Sequence, residues 1–404
     1  MALHEERVLV GLLRKGMFVS RLDRDWVGTP FPFQGFFIET DAQLELLAAW
    51  CTSVFVDVER GPGPDPQAVE ALETGPSGLP RGGKPWVDTA DLLEELPRAL
   101  AVRDEVHALA SRLIGDVREG RQLSGAEVRE AMEHMVGSLL RNADAMFWLV
   151  GLMKRDDYAY SHAVNCSALA TALGRQLALP REVLVELATG GLLLDIGKAR
   201  VPETLFNHHR PLSTEGRRRI QSHVEEGLRT IEAAGIGGTW VREMIAGHHE
   251  RHDGGGYPRG QKGLEIPLAG RIGALADTYD ALTSSRPHKR AVSRHEALQT
   301  IYRAGNQLFQ GELVEQFMQA LGVYPTGSLV ELSTGQVGIV MAQNQARRLR
   351  PRVMLLLTAD KERYQPFRDV DLMTVADERG GPVTIVAALE PGAYGLNPSD
   401  LYLT

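Results

Sequence analysis

Between Asp91 and about Leu321 the apolar residues recur every three or four positions, and this pattern restricts the fold more than any other feature of the chain. Leu92, Leu93 and Leu96 open it. Val106, Leu109, Leu113 and Val117 continue it, followed by Val128, Met132, Met135 and Leu139. Further helices are expected near 143–154, 158–178, 182–194, 213–233, 239–250, 269–284, 293–305 and 311–321. Helices that each carry one apolar stripe must pack stripe to stripe. The expected fold is therefore mainly α, built on a helical bundle.

The flanks follow other rules. Val8, Val10 and Leu12 alternate as a half-buried strand does, and Val54–Val58 (VFVDV) alternates again. Between them, Asp41–Trp50 has helical spacing at Leu44, Leu47 and Ala48, with Asp41 as the expected N-cap. Residues 61–85 hold six Gly and six Pro, a composition that neither continues a helix nor packs a strand. Beyond the helical region, LVEL (Leu329–Leu332), VGIVM (Val337–Met341), VMLLL (Val353–Leu357) and VTIVA (Val383–Ala387) read as strands, with a turn at Ser333-Thr334-Gly335-Gln336. The expected division is a small α/β or β-rich N-terminal domain (1–60), a Gly/Pro-rich linker (61–89), a helical domain (90–325, core about 140–325) and a β-rich C-terminal extension (326–404).

Composition removes several function classes. A net charge of −8 gives no positive footprint for a nucleic-acid polymer. Two cysteines, Cys51 and Cys166, exclude a disulfide scaffold and a multi-cysteine zinc module, and make a reducing, cytoplasmic compartment the expectation. The N-terminus MALHEERVLVGLLRKG has acids where a signal peptide needs a basic start, and no apolar run reaches the length of a membrane span.

Chemistry concentrates in the helical region. An ordered set runs from His162 through Asp195 and Lys198 of LLLDIGK to His223, the pair His248-His249, and Asp277 of ALADTYDAL. Imidazole nitrogen and carboxylate oxygen without thiolate suit a borderline or hard divalent metal. Asp195 and Lys198, three apart, are expected on one helix face, where the carboxylate bridges two metals and the lysine reaches a phosphate. Two metals a few Å apart suit phosphodiester hydrolysis. Any one of these histidines alone is more often a core or surface residue. The ordered set, all on expected helices, carries the signal. After the His pair comes HHERHDGGGYPRGQKG (248–263), either a plain connection or a lip at the metal site. Arg286, Lys289 and Arg290 of SSRPHKR are either phosphate ligands or solvated surface charges.

The order H…D-x-x-K…H…HHE-x-x-DG-x-GYP…D…RP resembles the HD-GYP family, a subgroup of the HD metal-dependent phosphohydrolases. The segments LLRKGMFVSRLDRDW and PFPFQGFFI are similar to the small domain that often precedes it, and GSLVELSTGQVGIVMAQN to its C-terminal extension. The resemblance implies an HD-type helical bundle. It also implies hydrolysis of the bacterial second messenger cyclic di-GMP to pGpG and on to GMP, at a centre of iron, manganese or a similar metal. Carried onto this chain, one metal takes His162, Asp195 and Asp277. The other shares Asp195 and takes His223, His248 and His249. Asp195 and Lys198 are the implied catalytic residues. Lys198, Arg286 and Lys289 contact phosphate, and Gly256, Tyr257 and Pro258 form the signature loop against the substrate. The glutamate that holds a third metal in some members is Tyr158 here, so two metals are the ceiling. Diguanylate cyclases are implied partners, and a homodimer is the oligomer to test for.

One departure stands out. The His-Asp pair that names the family is Leu194-Asp195. Leucine has no lone pair. Its presence shifts the first metal toward harder ions or leaves a single metal at His223, His248 and His249, unless His208 or His209 fills the gap. The leading expectation is a cyclic di-GMP phosphodiesterase with impaired or metal-selective activity. The alternative is an inactive effector that binds cyclic di-GMP or a partner protein. A third reading, an HD phosphohydrolase acting on nucleotides such as ppGpp, is opposed by the GYP loop and the Arg286/Lys289 pair.

Overall fold

The computed structural model describes residues 5–9, 13–22, 29–31, 35–51, 53–57, 60–61, 78–80, 83–151, 158–206, 213–285, 290–344 and 347–396. The chain divides into two compact units, residues 1–76 with 80–82 and residues 77–79 with 83–404.

The first unit holds strands β1 (Glu5–Leu9), β2 (Phe18–Leu22) and β3 (Phe36–Phe37), helix α1 (Asp41–Trp50) and strand β4 (Ser53–Asp57). The strands form an antiparallel sheet in the order β1-β4-β2-β3. Val8, Val19, Val54 and Val56 share its core with Ile38 and Leu47. The first expected strand stops at Leu9, and residues 10–12 lie outside the described ones. The cap of α1 is Thr40 rather than Asp41. The Thr40 hydroxyl accepts from Gln43 N at 3.3 Å while Gln43 Oε1 accepts from Thr40 N at 2.9 Å, a reciprocal pair that Asp41, already inside the helix, cannot make.

The second unit is mainly helical. Its helices are α2 (Leu92–Glu119), α3 (Gly125–Arg141), α4 (Ala143–Gly151), α5 (Tyr158–Gln176), α6 (Arg181–Leu193), α7 (Thr214–Gln221), α8 (His223–Ala233), α9 (Thr239–Gly247), α10 (Leu268–Thr283), α11 (Arg294–Arg303) and α12 (Gly311–Leu321). α10 is buried almost all round from Ala269 to Asp280, as the central helix of a bundle must be. None of the helices among the described residues is long and apolar enough to cross a membrane.

Three helix ends differ from the periodicity, and all three concern the site. The stretch expected as one helix over 213–233 is two, broken at Ser222. There His223 Nδ1 donates to Ile220 O at 2.7 Å and Ser222 Oγ to Arg219 O at 2.8 Å, so side chains take carbonyls that a continuous helix would use. α6 ends at Leu193, before Asp195, and a 3₁₀ turn (Ile196–Arg200) follows. α9 ends at Gly247, with His248 as its C-cap.

The C-terminal strands β5 (Leu329–Leu332), β6 (Val337–Ala342), β7 (Arg352–Leu357), β8 (Arg363–Asp371) and β9 (Ile385–Ala388) form an antiparallel sheet in the order β8-β7-β6-β5-β9. Val330, Leu332, Val340, Val353 and Leu355 make its core. The turn at 333–336 closes the β5–β6 hairpin, with Leu332 N donating to Gln336 O at 2.9 Å. β8 has no counterpart in the hydropathy pattern. It is a largely exposed edge strand carrying Pro366, and its sequence, RYQPFRDVD, is polar for that reason.

Candidate metal centre

Five elements converge on one point. α5 supplies His162, the turn after α6 supplies Asp195, the start of α8 supplies His223, the end of α9 supplies His248 and His249, and α10 supplies Asp277. Their ligand atoms fall into two groups. Asp195, His223, His248 and His249 form one, and His162, Asp195 and Asp277 the other, with the atoms of each group within 4.8 Å of one another. Asp195 belongs to both. The expectation that the whole set rides on helices is corrected: Asp195, His248 and His249 follow helix ends, where the backbone can turn and aim side chains from different elements at one place.

Hydrogen bonds fix which nitrogen each ring presents. His223 Nδ1 donates to Ile220 O at 2.7 Å and His248 Nδ1 to Ile245 O at 2.9 Å. A ring that donates from Nδ1 holds a lone pair on Nε2 when neutral. The two Nε2 atoms are 3.4 Å apart, and they lie 3.4 and 3.7 Å from Asp195 Oδ1. That oxygen is buried and has no hydrogen-bond partner among the described residues. Two lone pairs and a carboxylate oxygen at this range repel one another unless a cation lies among them. Ligands bound at about 2.1 Å to one tetrahedral ion stand about 3.4 Å apart, so the spacing fits a metal.

The electrostatics agree. Burial pushes the His223 imidazole down to about 4, although the Asp195 charge opposes it. Burial and the neighbouring His248 lower His249 as well. Burial works against the charge of Asp195, but the Lys198 ammonium and the surrounding imidazoles outweigh it and hold the carboxyl well below its usual range. At neutral pH His223 and His249 are therefore neutral rings beside an ionised Asp195, the forms that bind metal. His162 goes the other way. Burial presses it down, but Cys166 and the Asp195 and Asp280 carboxylates prevail and hold it well above the imidazole range. Its Nε2 lies 3.3 Å from Asp195 Oδ2 and 3.5 Å from Asp277 Oδ1, so this group too calls for positive charge between its oxygens.

Lys198 and Asp195 do not share an α-helical face. Asp195 caps the 3₁₀ turn that carries Lys198, and the ammonium bonds to Asp195 Oδ2. Leu194 is 1% exposed, with its Cδ1 packed over Gly273 of α10, and it gives the second group no ligand atom. His208, His209, Arg286 and Lys289 lie outside the described residues, as does the side chain of Tyr158.

The GYP segment lies against the rings. Tyr257 stacks on His249 with ring centroids 4.5 Å apart. At Gly256 a Cβ would fall 2.4 Å from both Arg251 N and Glu250 Cα and 2.5 Å from His249 O, so only glycine lets the chain cross back over its own lead-in. Pro258 follows through a cis peptide bond. Glu250, buried, accepts from Arg259 N at 2.7 Å and Gln261 N at 3.1 Å and ties both ends of the loop together. Neither Glu250 nor Asp280 was singled out by the sequence reading. Asp280 accepts from His162 Nδ1 and from the Asn165 amide. The available signals were the second Asp of ALADTYDAL, one helical turn after Asp277, and the acid directly after the His pair.

Three family models match the chain: an HD domain over residues 144–313, a domain of unknown function (DUF3391) over 6–128, and a KOW domain associated with HD domain over 329–391. The cyclic di-GMP phosphodiesterase PA4108 of Pseudomonas aeruginosa is 33% identical over 389 residues, 96% of this chain and 92% of that one. The 3'3'-cGAMP-specific phosphodiesterase 1 of Vibrio cholerae is 34% identical over 144 residues, 36% of this chain and 33% of its own. The cyclic di-GMP phosphodiesterase response regulator RpfG of Xanthomonas campestris pv. campestris is 28% identical over 247 residues, 59% of this chain and 61% of its own. A relative a third identical along almost the full length of both chains, an HD domain around the converging ligands, and the HHE-to-GYP loop stacked on them lead to one conclusion: the chain belongs to the HD-GYP family of metal-dependent HD-domain phosphodiesterases.

Proposed function

We propose that the chain hydrolyses a phosphodiester bond of cyclic di-GMP, giving linear pGpG and then GMP, at a centre that Asp195 shares between two metal positions. The observation that carries this reading is the buried Asp195 Oδ1, without a hydrogen-bond partner among the described residues, facing two imidazole Nε2 atoms. The choice of substrate is supported by the relative matched over 96% of the chain.

In this reading His223, His248 and His249 hold one metal with Asp195, and His162 and Asp277 hold the other with the same carboxylate. The donor set, imidazole and carboxylate, suits iron or manganese. Metals bound there supply the acidity that makes water a nucleophile and the charge that steadies the phosphoryl oxygens. The protein does the rest. Ile220 O and Ile245 O keep two rings in the ligating tautomer, and Asp280 does so for the third. Lys198 stands on Asp195 with its ammonium partly exposed, ready to meet a phosphate oxygen. Tyr257 roofs His249, so Gly256, Tyr257 and Pro258 form one wall of the substrate cleft. Arg286 and Lys289 are assigned to phosphate by the family motif. A diguanylate cyclase as partner, a homodimer and a cytosolic setting belong to the same reading.

A second reading rests on Leu194. A buried leucine packed on α10 withholds the fourth ligand of the His162 group. The chain then carries one metal, or binds cyclic di-GMP as an effector without turnover. One experiment separates these. The purified protein is analysed for metal and assayed with manganese or iron against cyclic di-GMP, 3'3'-cGAMP and ppGpp. Release of pGpG or GMP from cyclic di-GMP is expected. Tight binding without product transfers the case to the effector, and turnover of another substrate alone overturns the assignment.

A further inference from the structure

Apart from the metal centre, the second unit contains a cavity of about 250 Å³ between residues 85–88, the helical bundle and the connection between β6 and β7. Trp86, Arg175, Gln176, Gln319, Gln343 and Arg348 supply most of its chemistry. None of them touches the metal ligands. Arg175 lies 13 residues beyond His162 on α5, about 20 Å along the helix at 1.5 Å per residue.

What each side chain has to offer follows from the bonds it already makes. The Trp86 indole N–H donates to Leu179 O at 3.0 Å, so Trp86 gives the cavity ring surface and no polar atom. Arg175 reaches Asp88 at 2.6 Å through one terminal nitrogen, and its Nε makes no hydrogen bond among the described residues. Arg348, one of four arginines between residues 347 and 352, donates to Gln319 O at 2.8 Å through one nitrogen of a fork with five N–H groups. Gln176 Nε2 already donates to Gln316 Oε1 and Gln319 Oε1 at 3.1 and 3.2 Å, and Gln343 Nε2 to Tyr324 O at 2.7 Å, so these amides offer the cavity chiefly the Gln176 and Gln343 carbonyl oxygens as acceptors and the Gln319 NH2 as donor.

Two acids also line the cavity, and both are engaged. Asp88 holds Arg175. Asp144 takes the Thr326 hydroxyl at 2.6 Å on one oxygen and Gln343 N at 2.8 Å on the other. The Asp88 charge is offset by Arg175, whereas Asp144 keeps its own above about pH 6, so an anion is favoured at the Arg348 end of the cavity rather than beside α4. A flat apolar ring, amides with mixed polarity and guanidinium groups are the complement of a nucleobase with a phosphate. Size narrows the choice. Sites for drug-sized ligands span roughly 300–1,000 Å³, so this one has no room for a cyclic dinucleotide.

We propose that this cavity is a second ligand site, specific for a single nucleoside monophosphate. Its walls come from both the bundle and the connection between β6 and β7, so an occupant joins the two and stabilises the fold by mass action.

The test uses the full chain freed of metal with EDTA, titrated by calorimetry with GMP and with AMP, and separately with guanosine and inorganic phosphate. Saturable one-site binding of a mononucleotide is expected, at least tenfold tighter than nucleoside or phosphate alone. Arg348→Ala should weaken it roughly tenfold to a hundredfold, the loss of one charge-assisted contact. Ala320→Trp, which fills the cavity from α12, should abolish it, and Arg348→Ala decides the matter if that variant does not fold. No binding of either nucleotide, affinity unchanged in Arg348→Ala, or phosphate alone binding as tightly as GMP would each overturn the proposal.

Discussion

Asp280 Oδ2 lies 2.6 Å from His162 Nδ1, joining two helices across 118 residues of sequence. The bond fixes the ring so that Nε2 faces Asp195 and Asp277. Partners that orient a ligating histidine in this way typically carry 10–100-fold in metal affinity. Asp280→Asn should therefore weaken metal binding at the His162 group by about that factor while leaving helix content unchanged. Competition with a chelating dye measures it, and wild-type affinity in the variant would remove Asp280 from the site.

Asp195→Ala should strip both positions at once, because its carboxylate is common to both ligand groups. Metal content and any hydrolysis should fall together, with the far-UV circular dichroism of the bundle retained. Metal retained at the wild-type level would refute the shared-ligand assignment.

Leu194→His tests the departure from the family motif. The swap costs roughly 1–3 kcal/mol of apolar packing at a buried position, and selective metal binding to the folded state offsets it. Higher metal occupancy and faster cyclic di-GMP hydrolysis in the same metal are expected. A folded variant with no gain in occupancy means that the space has closed around the leucine, and the effector reading then takes precedence.

Gly256→Ala should pull the loop off the rings. The added methyl meets three backbone atoms at 2.4–2.5 Å, none of which can yield as a flexible side chain does. A loss of roughly 1–3 kcal/mol of stability is expected, with kcat lowered at least tenfold as Tyr257 leaves His249. A stacked, fully active variant would show that the crossing does not constrain the site.

Asp144 gives a pH signature at the contact between the bundle and the C-terminal sheet. Burial raises its carboxyl to about 6, against the Thr326 and Gln343 hydrogen bonds that favour the charge. The unfolded chain ionises first as pH rises from 3.8. The folded chain, still protonated, then loses relative stability until both forms are ionised above about 6. Asp144→Asn should remove this component, so the variant should gain on the wild type between pH 4 and pH 7, by no more than about 3 kcal/mol. Denaturant melts at the two pH values measure it, and a difference between the proteins that does not change with pH would rule out the titration.

Much of the centre was legible because metal chemistry restricts residue type. Imidazoles and carboxylates in a fixed order stand out against a helical background whatever the helices do in detail. Asp280 did not stand out, because its task depends on the register of α10 against α5, which no local pattern encodes. Helix ends were misjudged at Asp195, His223 and His248 for a related reason. Apolar periodicity does not register a side chain that captures a carbonyl, as His223 does at Ile220. β8 escaped because an exposed edge strand is selected for polarity rather than alternation.

Gly197, between Asp195 and Lys198, has no space for a side chain: a Cβ there would overlap His223 O and come within 2.4 Å of Gly227 N. The segment that carries the shared carboxylate thus rests backbone to backbone on the helix that carries His223. The backbones that carry these two ligands are held against each other by main-chain contact. An imidazole could therefore give way to Leu194 without disturbing that contact. In such a frame coordination chemistry can drift one residue at a time, and lineages with different metals, or with none, can descend from one scaffold without passing through a misfolded ancestor.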